Sequence, residues 1–145
     1  YLMSYQPAKI NDLKLLLRNT LLKQDSITDI VGDRIHGGHL QNPDADSAEY
    51  PLVVVSFTSG SVGFSSGYQQ VSMELWAYSR RSAGRAAELY DACFAALHHQ
   101  GLREDSVNVA GYAAEILRPE EGWNEKIRAY YAQGMFSLRV SYRNA

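Results

Sequence analysis

The feature that most constrains this sequence is a change of hydrophobic period around Ser79. Before it, Val71, Met73, Leu75 and Ala77 alternate with Ser72, Glu74, Trp76 and Tyr78. A period of two sets one apolar face on a core and leaves the other face mixed. After it, Ala86, Leu89, Tyr90, Cys93, Phe94 and Leu97 recur at three- and four-residue steps, the stripe of an amphipathic helix. The spacing predicts a strand over 68–78 and a helix over 82–100, with Ser82 as N-cap and Gly101 as the stop. Elements so close in sequence bury their apolar sides on each other, here the helical stripe on Val71, Met73 and Leu75. Each large side chain so buried contributes roughly 1.5–3 kcal/mol, so this contact is expected to dominate the fold.

The flanking sequence extends the same plan. Val53, Val54 and Val55 are β-branched and predict a buried strand over 51–58, with Pro51 holding Tyr50 extended at its start. Residues 59–67 then read as a Gly/Ser loop between the two strands. Upstream, Asn11 or Asp12 is expected to cap a helix reaching about Lys23, with Ile10, Leu13, Leu16, Leu17, Thr20 and Leu21 as its apolar face. Residues 26–32 predict a short helical turn closed by Gly32, residues 33–36 a short strand, and 37–50 a polar loop. Downstream, 107–117 alternates weakly and 118–124 reads as a turn. Residues 126–142 read as a long strand or a bent pair, with Gly134 marking a bulge or kink. No repeat, linker or low-complexity tract divides the chain, so 1–145 is expected to be one domain. The class is α+β: a mostly antiparallel sheet of about four or more strands, with the long helix and the N-terminal helix packed on one face.

Composition excludes several roles. Hydrophobic residues make up 46% and charged residues 21% of the 145, the balance of a folded globular chain. A net charge of −2 provides no field to recruit nucleic acid. No apolar run is long enough to span a bilayer, and no leader is evident, though a start at Tyr1 leaves room for an upstream segment. Cys93 is the single cysteine and falls on the apolar helical stripe, so it reads as a small core residue, compatible with a reducing cytoplasm.

Chemistry-bearing constellations are sparse. His36 and His39 flank two glycines but lack a third ligand at useful spacing. His98 and His99 are adjacent near a helix end, and neighbours there diverge by about 100° around the axis. The glycines at 60, 63 and 67 do not form a phosphate loop, since no Gly-Lys-Ser/Thr follows and the segment leads into a strand. That segment, with Gly63 and Phe64, reads either as a hairpin loop or as an arm that orders on a partner. Trp76 and Tyr78 on the mixed strand face are either covered by the same chain or left for a partner. Arg80, Arg81 and Arg85 crowd the positive end of the long helix. A compensating acid is therefore expected, Glu88 or one on a neighbouring subunit, unless the turn is simply solvated. Glu120, Glu121 and Trp123 occupy the far turn as a wet surface or an interface. No catalytic, cofactor or metal set emerges, and the chain is read as no enzyme.

Several segments together resemble a known family. Residues 27–35 read Ile-Thr-Asp-Ile-Val-Gly-Asp-Arg-Ile, and 50–55 read Tyr-Pro-Leu-Val-Val-Val. Residues 70–78 read Gln-Val-Ser-Met-Glu-Leu-Trp-Ala-Tyr and lead into an Ala- and Leu-rich helix. In that order, over about residues 11 to 142, they resemble the tail terminator, or tail completion, proteins of long-tailed bacteriophages. The resemblance implies a structural virion protein that forms a ring, commonly hexameric, on the last tail-tube ring. The ring stops tube growth and offers a surface to the head connector, or stopper. DNA passes through the lumen without specific binding, and no membrane is involved. The implied location is the neck end of the virion tail, and the host cytoplasm during assembly. Within that frame Trp76, Tyr78, Arg80, Arg81, Arg85, Gly63, Phe64, Glu120, Glu121 and Trp123 are the expected interface residues. A head-closure or head–tail joining protein shares the size and ring habit, and a small metal-dependent enzyme using His36 and His39 is the alternative from another class.

Overall fold

The protein's structure, a computed structural model, describes residues 8–37, 50–62 and 69–142. The N-terminal helix α1 spans Ile10–Leu22 and the short helix α2 spans Asp25–Val31. A three-residue strand β1 (Ile35–Gly37) precedes the long strands β2 (Leu52–Val62) and β3 (Gln69–Ser79). Helix α3 (Ala83–Leu97) leads to β4 (Gln100–Glu104), a single 3-10 turn, and the pair β5 (Val109–Asn124) and β6 (Ala129–Tyr142). The six strands form one sheet in the order β1-β2-β3-β6-β5-β4. The β1–β2 pair is parallel and every other pair is antiparallel. The class is therefore α+β, as the two periodicities require.

The alternation in β3 does what its pattern predicts. Met73, Leu75 and Ala77 are fully buried and share one large core with Val53, Val55, Phe136, Leu138 and Val140. Leu89, Tyr90, Cys93 and Leu97 of α3 join the same core, as do Leu13, Leu16, Leu17 and Leu21 of α1. Ser82 caps α3, its Oγ accepting the Arg85 amide at 3.1 Å. A second, smaller cluster contains Leu52, Val54, Tyr78, Ile127 and Ala129 and no helical residue.

Consecutive residues of α1 reach the two outermost strands. Arg18 Nε donates to the Ile35 carbonyl of β1 at 3.0 Å, and Asn19 Nδ2 donates to Glu104 Oε1 of β4 at 2.8 Å. These strands lie at opposite ends of the sheet order. The sheet therefore curls until both ends meet one helix, as accumulated right-handed strand twist allows.

Several boundaries differ from expectation, each for a physical reason. Neither Asn11 nor Asp12 caps α1. Lys9 holds the N-cap position with no side-chain bond, and the Tyr142 hydroxyl, from the far end of the chain, accepts the Lys9 amide at 2.9 Å. It also donates to Asp12 Oδ2 at 2.8 Å, so the cap is tertiary. Gly101 does not stop α3. The helix ends at Leu97, His98 is extended, His99 takes a positive φ of 57°, and Gly101 lies inside β4. The strand β2 runs on to Val62, so the connection to β3 is shorter than the loop expected over 59–67. The turn expected over 118–124 is the second half of β5, paired to β6 from Glu120↔Gln133 to Asn124↔Ala129. Pro119 is tolerated there because the β5 register shifts between Leu117 and Glu120, and that side of β5 has no neighbouring strand among the described residues.

Candidate assembly surface

The aromatic pair on the outer side of β3 is taken up largely by its own chain. Trp76 and Tyr78 stack at 5.8 Å, nearly parallel at 6°. Tyr131 of β6 leans on both, and Tyr50 meets Tyr78 edge-on at 6.5 Å. Such ring pairs contribute about 0.5–1.5 kcal/mol each beyond their buried area. Tyr78 is buried, and desolvation, with Tyr50, Tyr131 and Glu74 nearby, holds its phenol well above the ordinary value. Trp76 is only half-buried, its Nε1 donating to Glu74 Oε2 at 3.1 Å. Of the two, Trp76 keeps surface to offer.

The three arginines before and in α3 have separate fates. Arg80 lays its guanidinium over the Tyr50 ring at 4.2 Å and donates through Nη2 to the Ile127 carbonyl at 3.2 Å. Arg85 pairs with Glu88 at 3.0 Å, one turn along the same helix, and this is the compensating acid the dipole argument asked for. Arg81 is exposed, its amide held by Ser79 Oγ at 3.1 Å.

The second half of β5 concentrates accessible apolar surface. Ile116, Leu117 and Trp123 are about half exposed or more, at 52%, 58% and 44%, beside the exposed Glu120 and Glu121. Trp123 meets Tyr130 of β6 edge-on at 4.7 Å and donates to Glu125 Oε2 at 2.7 Å. The pairing of β5 with β4 ends at Ala113, and beyond Glu115 residues 117 and 120–124 pair with β6 and, among the described residues, with no other strand.

A polar network that the sequence reading missed fixes this half-strand. The buried Tyr90 hydroxyl donates to Glu115 Oε2 at 2.7 Å, and Arg118 Nη1 donates to Oε1 at 2.7 Å. The Glu115 side chain is only 5% exposed, so both bonds compensate a desolvated carboxylate. Burial, and then the bond to Glu115, keeps the Tyr90 phenol well above its ordinary value. The Glu115 amide donates to His98 Nδ1 at 2.9 Å. His98 stacks between Phe94 at 4.5 Å and His99 at 3.8 Å. The two histidines face each other because His99 has already left the helix. Tyr90 reaches Glu115 across Gly134, where any Cβ would collide with the phenol. Gly134 does mark the irregular row, but the extra residues lie opposite, in β5. One local sign was available: Glu115 continues the buried alternation of Val109 and Ala113, so an acid falls on a core face.

Gly63, Phe64 and His39 lie outside the described residues. His36 lies on β1, its imidazole held below the ordinary value by desolvation and by Arg18. Among the described residues no group of three or more His, Cys, Asp or Glu is placed to hold a metal ion. Among the same residues no helix is long and apolar enough to cross a membrane.

No protein-family model and no curated protein matches the chain. Its class, a curled, mostly antiparallel sheet sharing a core with three helices, does have solved counterparts. One is a chain of the virion of native gene transfer agent (GTA) particle, at TM-score 0.63 and 16% identity, with 88% of this chain and 93% of that chain covered. At that identity the two share a fold.

Proposed function

We propose that the chain is a structural component of a tailed, phage-like particle and that it terminates the tail tube. Copies close into a ring, six-fold as in the family the sequence resembles, and sit on the last ring of tube subunits. One face stops tube growth and the other receives the head connector, while DNA passes through the lumen. The reading is carried by one coincidence. The segments at 27–35 and 70–78 that resemble tail terminators lie in a chain whose fold, over nearly its whole length, is that of a virion chain. The polar groups of the β5 network are consumed in mutual hydrogen bonds, which favours a mechanical over a catalytic role. A net charge of −2 per chain suits a lumen that does not grip phosphate.

The test is direct. Purified chain is added to growing tail tubes and tube lengths are measured by electron microscopy, with pull-downs against tube and portal proteins in parallel. Capped tubes of arrested length and capture by the tube protein are expected. Tubes that grow on unaffected would overturn the reading, and capture by the portal alone would transfer it to a neck protein.

A further inference from the structure

We propose that His98 is a proton-operated latch: with Nδ1 bare it fastens β5 to the end of α3, and a proton there unfastens it. The inference stands apart from the tube-capping reading, since it uses only contacts within one chain. His98 is the extended C-cap of α3, and its Nδ1 accepts the Glu115 amide of β5 at 2.9 Å. An imidazole nitrogen accepts through a single lone pair, and a proton on it turns the acceptor into a donor. N–H would then face N–H, so this bond and a charged His98 exclude each other.

The bond falls where the ladder holds β5 least. The register with β6 shifts between Glu115 and Leu117 and again before Glu120. Such shifts interrupt the regular backbone bonds, so side-chain contacts set the path of the strand there. On the near side the chain is tied by groups that do not titrate. The His99 amide donates to the Ala113 carbonyl at 2.8 Å, and His98 bridges to the same residue. Opening is therefore directed away from Ala113, into the half-strand that carries the exposed Ile116 and Leu117.

The charges around the ring are of both signs. From β5, the Glu115 carboxylate accepts from the Tyr90 hydroxyl of α3 and from Arg118, each at 2.7 Å. Arg118 lies over the Phe94 ring at 5.4 Å, and Phe94 stacks on His98 at 4.5 Å. His99 stacks on His98 at 3.8 Å, with Tyr112 of β5 beyond it at 5.9 Å. The carboxylate and the negative end of the α3 dipole attract a proton to the ring, whereas Arg118 and a charged His99 repel one. When the proton arrives, the amide bond is what it displaces.

The test follows single amides of the isotope-labelled whole chain by NMR between about pH 8 and about pH 5, the span in which an imidazole charges. Protection of the Glu115 amide against exchange, corrected for the intrinsic pH dependence, is expected to fall severalfold as His98 charges. The His99 amide, bound to a carbonyl, should keep its protection. Imidazole nitrogen shifts of the parent chain report the charge on His98 directly. His98→Asn offers an oxygen acceptor in a similar position that takes no proton, so protection of the Glu115 amide should then persist to low pH. His99→Gln keeps the titrating ring, and the fall should remain. A Glu115 amide as well protected at low pH as at high, or one that fades together with the His99 amide, overturns the latch. So does a fall that survives His98→Asn or vanishes in His99→Gln. Should either variant fail to fold, the two amides of the parent chain decide.

Discussion

Gly134 holds its place through what is missing from it. The Tyr90 ring fills the space of a side chain, its Cζ only 2.7 Å from where a Cβ would stand. Gly134→Ala forces the phenol or the strand to shift, and destabilisation of about 1–3 kcal/mol is expected in urea unfolding, the usual cost of overpacking. Tyr90→Phe keeps the ring but strips a donor from a carboxylate that is nearly out of water, with an expected loss of similar size, about 1–3 kcal/mol. Alkaline titration checks the same site. Both the Tyr90 and Tyr78 phenols are held above the ordinary 10.0, so the fold favours the protonated form. That contribution to stability is whole below the unfolded value and is lost as pH climbs towards the folded one. Phenolate absorbance should therefore show a fraction of the tyrosines silent until the chain unfolds, and Cys93 should react with a thiol reagent only at that point. Locally the sequence offers only an acid, Glu115, on a core-facing position, and not the pairing itself. Tyr90 lies on the core stripe that its spacing predicts, but its partner lies 25 residues on. Only a register that the sequence does not print brings them together.

At the scale of elements, legibility followed the length and regularity of the pattern. The period of two in β3 and the stripe of α3 are strong, and both elements occur where they were expected, within a few residues. Ser82 is the clearest case: an N-cap read from its position alone, with the predicted bond present. Ser82→Ala should lower stability by about 1 kcal/mol in thermal unfolding, with the fold otherwise intact. The far end of α3 misled because Gly101 is a generic stop signal, whereas the chain turned at His99 in a left-handed conformation. Residues 118–124 misled for the opposite reason. Proline, two acids and a glycine have turn chemistry, yet the strand absorbs them through two register shifts, with no strand on that outer side among the described residues. Strand β4, five residues long, carries no alternation strong enough to announce it.

For the molecule as a whole, the interface candidates divide by what their own chain already uses. Tyr78 is buried and engaged internally, Arg80 and Arg85 are engaged within the chain yet stay exposed, and Trp76, Arg81, Glu120, Glu121 and Trp123 also retain accessible surface. Trp76 belongs to both groups, so Trp76→Ala should cost stability through its lost stack and should also weaken assembly. Tube-capping measured below the variant's melting temperature separates the two effects, and undiminished capping would remove Trp76 from the surface. The class of fold was legible from the two periodicities. The curl of the sheet was not, because it depends on Arg18 and Asn19 finding partners 17 and 85 residues away.

That grip has a mechanical corollary. Two neighbouring residues of α1 tie down the first and last strands of the sheet, so neither margin can peel back without loosening the other. The helix serves as a clasp, and the margins it fastens should fray as one. Amide hydrogen exchange in β1 and β4 is expected to report a shared opening free energy, and Arg18→Ala should speed exchange in β4, the strand held by its neighbour Asn19. A shell held by one buckle stays taut or springs open; it does not sag at a single seam.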